Sequence, residues 1–150
     1  MATEMDKFPV QSRELSRLHQ YLGVWAMMPD RFTSAIQHVQ GLDLQAHIDA
    51  VLDRDAPGTY DTPPFVMEAG GVAKMHLHGA MTKYGSSLSS MPGTLQTRRN
   101  LRQASADESV RGIMLAMDSP GGNVSGVPDL AGEVRAVSRV KPVHVHAEDS

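Results

Sequence analysis

The feature that most constrains the fold is an apolar run at residues 113–117 that leads directly into Asp118-Ser119-Pro120-Gly121-Gly122. A short apolar run bounded by turn residues is typical of a buried strand, and the glycines after it are consistent either with an ordinary βα turn or with a catalytic loop. Adjacent glycines adopt backbone conformations closed to other residues and expose their N–H groups with no Cβ in the way. The stretch therefore predicts a buried strand that ends in a turn able to bind a developing oxyanion.

Strand and helix patterns alternate from residue 72 onward. Apolar runs predict strands at 72–81, 110–117 and 142–147, and helical periodicity predicts helices at 94–106 and 127–139. Strands separated by helices pair in parallel through right-handed crossovers. We therefore predict an α/β domain with the parallel order β-α-β-α-β.

The first third of the chain has helical periodicity from Ser12, with a break before Pro29 because a helix rarely continues through the residue that precedes proline. Pro29 suits the first turn of a second helix with Phe32 and Ile36 on one face, and Asp43 can cap a third. Prolines and charges then interrupt the pattern. We predict a helical N-terminal arm that packs separately, a linker and the α/β part, at residues 1–55, 56–65 and 66–150 respectively.

Composition excludes several classes of protein. The net charge of -3 at pH 7 argues against a general binder of nucleic acid or anionic membranes. The absence of cysteine excludes disulfides and thiolate metal sites. No apolar stretch approaches the roughly 20 residues of a membrane span, and none resembles a signal peptide. We expect a cytoplasmic protein with no nucleic-acid partner and no membrane span.

The segment from Gly112 to Gly122 closely resembles the signal peptide peptidase A family of serine peptidases, in the ClpP/crotonase-like superfamily. Residues 72–81 resemble the first core strand of that family, and residues 141–149 resemble the strand just before its catalytic serine. The arm, with Trp-Ala-Met-Met-Pro at 25–29, resembles phage and prophage members, which act as head-maturation proteases in capsid assembly. The resemblance implies a ClpP/crotonase-like fold of which this chain holds the N-terminal part.

The resemblance also implies a mechanism. In the family a serine attacks the peptide carbonyl, a lysine acts as general base, and the glycine-rich turn supplies an oxyanion N–H. By motif match Gly121 and Gly122 are the oxyanion candidates, and we expect one of their N–H groups to be free of internal partners. The residues that follow pair with the substrate backbone as an added strand, so Asn123 and Val124 would line the substrate.

The catalytic serine of the family has no counterpart in this chain, since it falls a few positions beyond the pair that matches Glu148-Asp149. Ser150 lies just short of it, and the family lysine lies later still, so we expect no peptidase activity from this chain alone. The implied partners are peptide or protein substrates, capsid or scaffold proteins in a phage member, and further copies in a homo-oligomer, with no cofactor. An inactive module with a scaffolding role stays open as the alternative.

Other nucleophiles and bases have simpler interpretations. Ser119 precedes proline within the turn, and we expect it to fix the turn rather than to attack, since serine is a standard turn residue. Lys74 and Lys83 flank the first strand, and a solvated lysine is the commoner case. The remaining candidates form a serine-rich loop that is typical of a linker: Ser86, Ser87, Ser89 and Ser90.

Histidines occur as two i, i+2 pairs on predicted strands, at 76/78 and at 144/146. Each pair lies on one face of its strand. If the two strands were neighbours, four imidazoles could bind zinc, but unpaired strand histidines are more commonly half-buried polar residues, and we predict no metal site. A basic strip on the helix at 94–106 is expected to be a solvated face or, less often, a contact for an acidic partner: Arg98, Arg99 and Arg102.

Overall fold

The computed structural model describes residues 23–41, 43, 46, 63–85 and 93–148. These residues form six strands and three helices. In chain order the elements are β1 (Trp25–Met27), α1 (Pro29–Gln40), β2 (Val66–Glu68), β3 (Val72–His78), α2 (Thr94–Ala106), β4 (Gly112–Asp118), β5 (Gly121–Asn123), α3 (Val127–Ser138) and β6 (Val143–Ala147).

Parts of the predicted organisation lie outside the described residues. They are the helix expected from Ser12, most of the linker at 56–65 and most of the serine-rich loop. At the start of the helix expected from Asp43, the Ala46 N–H donates to Asp43 Oδ1 at 3.1 Å, which is the bond of an N-cap. No helix within the described ranges is both long and apolar enough to cross a membrane.

The main sheet has four strands in the order β2-β3-β4-β6, in which β3, β4 and β6 run parallel. Helices α2 and α3 make the two crossovers, so the predicted mixed α/β order from residue 72 is confirmed. Strand β2 was not predicted. It pairs antiparallel with β3 across a turn in which Gly70 and Gly71 have φ of 83° and 82°, values that favour glycine.

Helices α2 and α3 cover one face of this sheet. Alternate residues of β3 are buried, and so are Ile113 and Leu115 of β4, whereas Met114 between them is 37% exposed. The predicted strand is therefore buried at Ile113, Leu115 and Ala116, and both crossover helices lie on the side that Ile113 and Leu115 face. The buried core comprises Ala73, Met75, Leu77, Leu101, Ala104, Val110, Ile113, Leu115, Leu130 and Val137.

The basic strip of α2 is an ionic contact with α3. Arg102 Nη2 lies 2.5 Å from Glu133 Oε2, and Arg98 lies 3.5 Å from the same oxygen and 3.4 Å from Asp129. The hydrogen bond from Arg102 holds the pKa of Glu133 below its ordinary value, against the effect of burial, which raises it. Two of the three arginines therefore link the crossover helices rather than forming only a solvated face.

This contact predicts a specific loss of stability in acid. The pKa of Glu133 is lower in the folded chain than in the unfolded chain. Its contribution to the free energy of unfolding is therefore fully present above about pH 4.3 and is lost as the pH falls through the folded pKa. Glu133→Gln should lower the free energy of unfolding at pH 7 and make it less dependent on pH below about pH 4.3. Urea unfolding over this pH range measures both effects. Asp129→Asn, whose side chain is 61% exposed, is the matched control and should change little. An unchanged pH dependence in Glu133→Gln would contradict the assignment.

Candidate functional site

The turn that the sequence singled out lies at the carboxyl end of β4, as predicted. Strand β5 begins at Gly121, within this turn, and has backbone neighbours on both edges. On one edge Met81 N–H donates to Gly121 O at 2.9 Å and Asn123 N–H donates to Met81 O at 2.8 Å. On the other edge β1 pairs antiparallel with β5. The turn and β5 are therefore held between two segments of backbone.

Both glycines of the turn are required by close backbone contact. Gly121 has a φ of 107°, and a Cβ at this position would overlap the carbonyl oxygen of Ala26. A Cβ on Gly122 would overlap the backbone of Met81 on the opposite edge. The sequence indicated glycine for the geometry of the turn, and the structure adds that no side chain fits between β5 and either neighbour.

Ser119 ties the turn to the end of β3. Its side chain is buried, and Oγ lies 2.8 Å from Gly79 O and 3.1 Å from Gly121 O. The same oxygen accepts the Gly121 N–H at 3.3 Å. A hydroxyl held by three backbone groups orders the turn, in agreement with the prediction that Ser119 fixes the turn rather than attacking a substrate.

Neither oxyanion candidate has a free amide while β1 is in place. The Gly121 N–H donates to Ser119 Oγ. In the β1–β5 register Ala26 is opposite Gly122. The pairs two residues to either side are hydrogen-bonded, through Met28 N–H to Pro120 O and Val124 N–H to Val24 O. Because hydrogen-bonded pairs alternate along an antiparallel ladder, Ala26 and Gly122 also form such a pair. The expectation of a free N–H is therefore wrong for the chain in this arrangement, because β1 occupies the edge to which Gly122 points.

The N-terminal segment also covers the predicted substrate-lining residues. Asn123 is 1% exposed, its Oδ1 accepts the Ser125 N–H at 2.7 Å, and its side chain lies directly against Gly23. Val124 is 41% exposed, and its N–H donates to Val24 O at 2.9 Å. The backbone here already pairs with an extended segment, which is the interaction expected of a substrate.

Strand β1 is the element that sequence reasoning missed. The stretch before Pro29 was predicted as a break between helices, and the break is correct, but Trp25–Met27 is a strand. The expectation that the arm packs separately is wrong at β1, since this strand pairs with β5. The available signal was a β-branched and an aromatic residue, Val24 and Trp25, within five residues before Pro29.

A contact between an imidazole and a carboxylate lies at the same edge of the main sheet as the turn. The parallel register sets His78 opposite Asp118, and His78 Nδ1 lies 2.8 Å from Asp118 Oδ2. The two side chains are 68% and 37% exposed. Sequence reasoning noted His78 only as a member of a histidine pair, because its partner is 40 residues away and is set by strand register alone.

The other candidate residues are not brought together. Strand β4 separates the two histidine pairs, with Ala116 in register between His76 and His146. The condition for a four-histidine cluster is therefore not met, and in the described ranges no three His, Asp or Glu side chains are placed to hold a metal ion. Lys83 lies 5.7 Å from the centre of the Tyr84 ring. Within the same ranges no serine hydroxyl is hydrogen-bonded to a lysine or a histidine.

Comparison with known proteins gives relatives among phage capsid assembly proteins. The chain is 37% identical over 82 residues to capsid assembly protease C of Escherichia phage lambda, a region that is 53% of this chain and 19% of that protein. It is 42% identical over 50 residues to the head-tail preconnector protein GP5 of Enterobacteria phage P21, covering 33% of this chain and 10% of that protein. The match thus spans a fifth or less of each relative. No protein-family model matches the chain.

The hydrogen bond from the Ser119 hydroxyl to Gly79 O predicts that Ser119→Ala destabilises the chain by about 1–3 kcal/mol, because this carbonyl loses its donor in a partly buried site. Urea unfolding at pH 7 measures the change. Ser125→Ala is the matched control, since its side chain is exposed and its bond to Asn123 uses the backbone N–H. Equal stability of the two variants would show that the Ser119 hydroxyl does not order the turn.

Close contact with Met81 predicts that Gly122→Ala is destabilising by about 1–3 kcal/mol, because the added methyl group forces β5 away from Met81. Gly132→Ala is the matched control, because it adds the same methyl group at a position where a Cβ has no heavy atom within 4 Å. In the interior of α3 that change should stabilise by about 0.5–1 kcal/mol. Thermal unfolding of both variants should therefore shift in opposite directions, and a neutral Gly122→Ala would contradict the close contact.

Proposed function

We propose that this chain is the N-terminal part of a serine endopeptidase of the signal peptide peptidase A type, with a ClpP/crotonase-like fold, that acts in phage head maturation. The observation that carries the proposal is the extended pairing on β5, directly after a glycine turn at the end of a parallel strand. An edge that already pairs with a stretch of backbone suits the capture of a peptide substrate by strand addition. The similarity to capsid assembly protease C supports the choice of a protease.

The proposed chemistry divides the work between this chain and a longer polypeptide. The nucleophilic serine and the lysine base follow β6 in that polypeptide, as the family resemblance implies. Of the two oxyanion candidates, this chain supplies the Gly122 N–H for the negative charge that develops on the carbonyl oxygen, while the Gly121 N–H stays bonded to Ser119 Oγ. Asn123 and Val124 line the substrate, and the Val124 N–H, which now donates to Val24 O, aligns its backbone. Loss of one such oxyanion donor costs roughly 10²–10³ in turnover.

The wider assignments follow from the same proposal. Substrates are capsid or scaffold proteins of a phage, processed in the host cytoplasm or in the virion precursor. Residues 66–150 form the first part of the peptidase domain, and residues 1–55 form an arm joined to it through residues 56–65. In the described part of the chain, β6 is an edge strand of the main sheet, and Val145 on it is 54% exposed. This edge suits further strands or another copy in a homo-oligomer.

A second candidate function is an inactive assembly module of the capsid. Two observations favour it: the similarity to the head-tail preconnector protein GP5, and the lack, in the described ranges, of a serine hydroxyl bonded to a lysine or a histidine. Such a module would bind capsid proteins through the same extended edge without cutting them.

Labelling with a fluorophosphonate, which reacts with activated serines, separates the two functions. The chain alone should not be labelled, because the proposal assigns the activated serine to the longer polypeptide. A chimera in which this chain replaces the aligned 82-residue segment of capsid assembly protease C should be labelled and should cleave capsid protein. The matched control is the same chimera with its candidate catalytic serine replaced by alanine. A folded chimera that binds capsid protein but is neither labelled nor active would favour the assembly module, and labelling of the chain at Ser119 or Ser150 would overturn the proposed division.

A further inference from the structure

We propose that β1 is a resident strand that occupies the peptide-binding edge of β5 and has to leave before a substrate pairs there. The groove would then bind extended peptides that run antiparallel to β5 and carry apolar side chains at the two positions now taken by Trp25 and Met27. The identity of the groove rests on the proposed function. That the edge is already filled rests on the structure alone.

The backbone of β1 makes the contacts that a bound peptide would make. Its pairing with β5 is antiparallel, with Ala26 opposite Gly122. The ladder extends beyond both ends of the strand, since Met28 N–H donates to Pro120 O at 3.0 Å and Val124 N–H donates to Val24 O at 2.9 Å. Residues 24–28 thus saturate this edge of β5 from the turn to Val124, and no second peptide can pair there at the same time.

Strand β1 is attached outside the buried core of the α/β part. In the described ranges, no residue of β1 or α1 belongs to the buried core, and the described side chains of α1 are exposed. Trp25 and Met27 line a shallow pocket with Pro29 and Phe32, which belong to the same segment. Release of β1 therefore breaks a short ladder of backbone hydrogen bonds and leaves the core of the α/β part intact.

The exposure pattern of β1 indicates which peptides the groove accepts. Trp25 and Met27 are half-buried and lie on one side of the strand, whereas Ala26 between them is exposed. A peptide that replaces β1 would therefore place alternate side chains on the partly covered side of the strand, where Pro29 and Phe32 lie next to Trp25 and Met27. Because backbone hydrogen bonds are independent of sequence, peptide selection would come from those two apolar positions.

Occupancy of the edge and availability of the oxyanion donor are coupled. The Gly122 N–H points to Ala26 in the β1–β5 pair, so it becomes available only when β1 leaves. The apparent affinity for a peptide is lowered by the fraction of molecules in which β1 is released. A docked fraction of about 90–99% would weaken peptide binding about 10- to 100-fold.

The test uses two proline variants of the full chain. Ala26→Pro removes the N–H at the central pair and releases β1, while the α/β core keeps its contacts. Val24→Pro is the matched control: Val24 is 74% exposed, it contributes its carbonyl to the ladder, and in the described part of the chain its N–H donates no hydrogen bond to β5. Far-UV circular dichroism and thermal unfolding verify that both variants are folded.

The probe is a fluorescein-labelled peptide that copies residues 23–29 with phenylalanine in place of Trp25, and its binding is followed by anisotropy. Ala26→Pro should bind it at least about tenfold more tightly than the unmodified chain or Val24→Pro. Trp25 is the single tryptophan, so its emission in the unmodified chain should move to longer wavelength as unlabelled peptide displaces β1. A peptide with N-methylated alanine at the central position lacks the N–H of the central pair. It should therefore neither bind to Ala26→Pro nor shift the Trp25 emission of the unmodified chain.

The outcomes separate this inference from the proposed function. Equal affinity of the unmodified chain and Ala26→Pro would overturn the resident strand but leave peptide capture by β5 standing. An equal increase in peptide affinity in Ala26→Pro and Val24→Pro would also overturn the resident strand, because the increase would then not depend on the central hydrogen bonds between β1 and β5. A folded Ala26→Pro variant that binds no peptide would overturn both the resident strand and the peptide-binding role of β5.

Discussion

The site depends on backbone approaching backbone on both sides of Gly121-Gly122. One glycine faces the carbonyl of Ala26 and the other faces the backbone of Met81, and a Cβ on either would overlap its neighbour. This double contact fixes β5 as a short strand rather than a loose loop. It also orients the Gly122 amide toward the β1 edge, so the chemistry proposed for the turn is governed by what lies on that edge.

Parallel register explains why polar groups from distant parts of the chain meet beside the turn. Strands β3 and β4 run in the same direction, so their carboxyl ends lie at one edge of the sheet. This brings His78 to Asp118 and the Gly79 carbonyl to Ser119 Oγ. The Gly79 N–H also donates to Asp118 O at 2.8 Å. The turn is thus anchored to the end of the neighbouring strand before β5 begins.

The attachment of the N-terminal segment is of a different physical kind. The α/β core is held by buried apolar side chains, and the α2–α3 contact adds Glu133 with two arginines. Strand β1 lies outside that core and pairs with β5 through a few backbone hydrogen bonds, each of which contributes only about 0.5–1.5 kcal/mol net. This attachment is the basis of the proposed exchange of β1 for a substrate peptide.

The sequence by itself determined the elements whose signal is local. The run at 113–117 marked β4, and helical spacing marked α2 and α3 to within a residue of their observed ends. The glycine turn was located in the same way, since its dihedral requirement is a property of the residues. Only the tertiary structure decided the pairing of β1 with β5 and the contact of His78 with Asp118. Strands of three residues carry no period, and strand register is set by contacts between residues far apart in sequence, so neither can be deduced from local pattern.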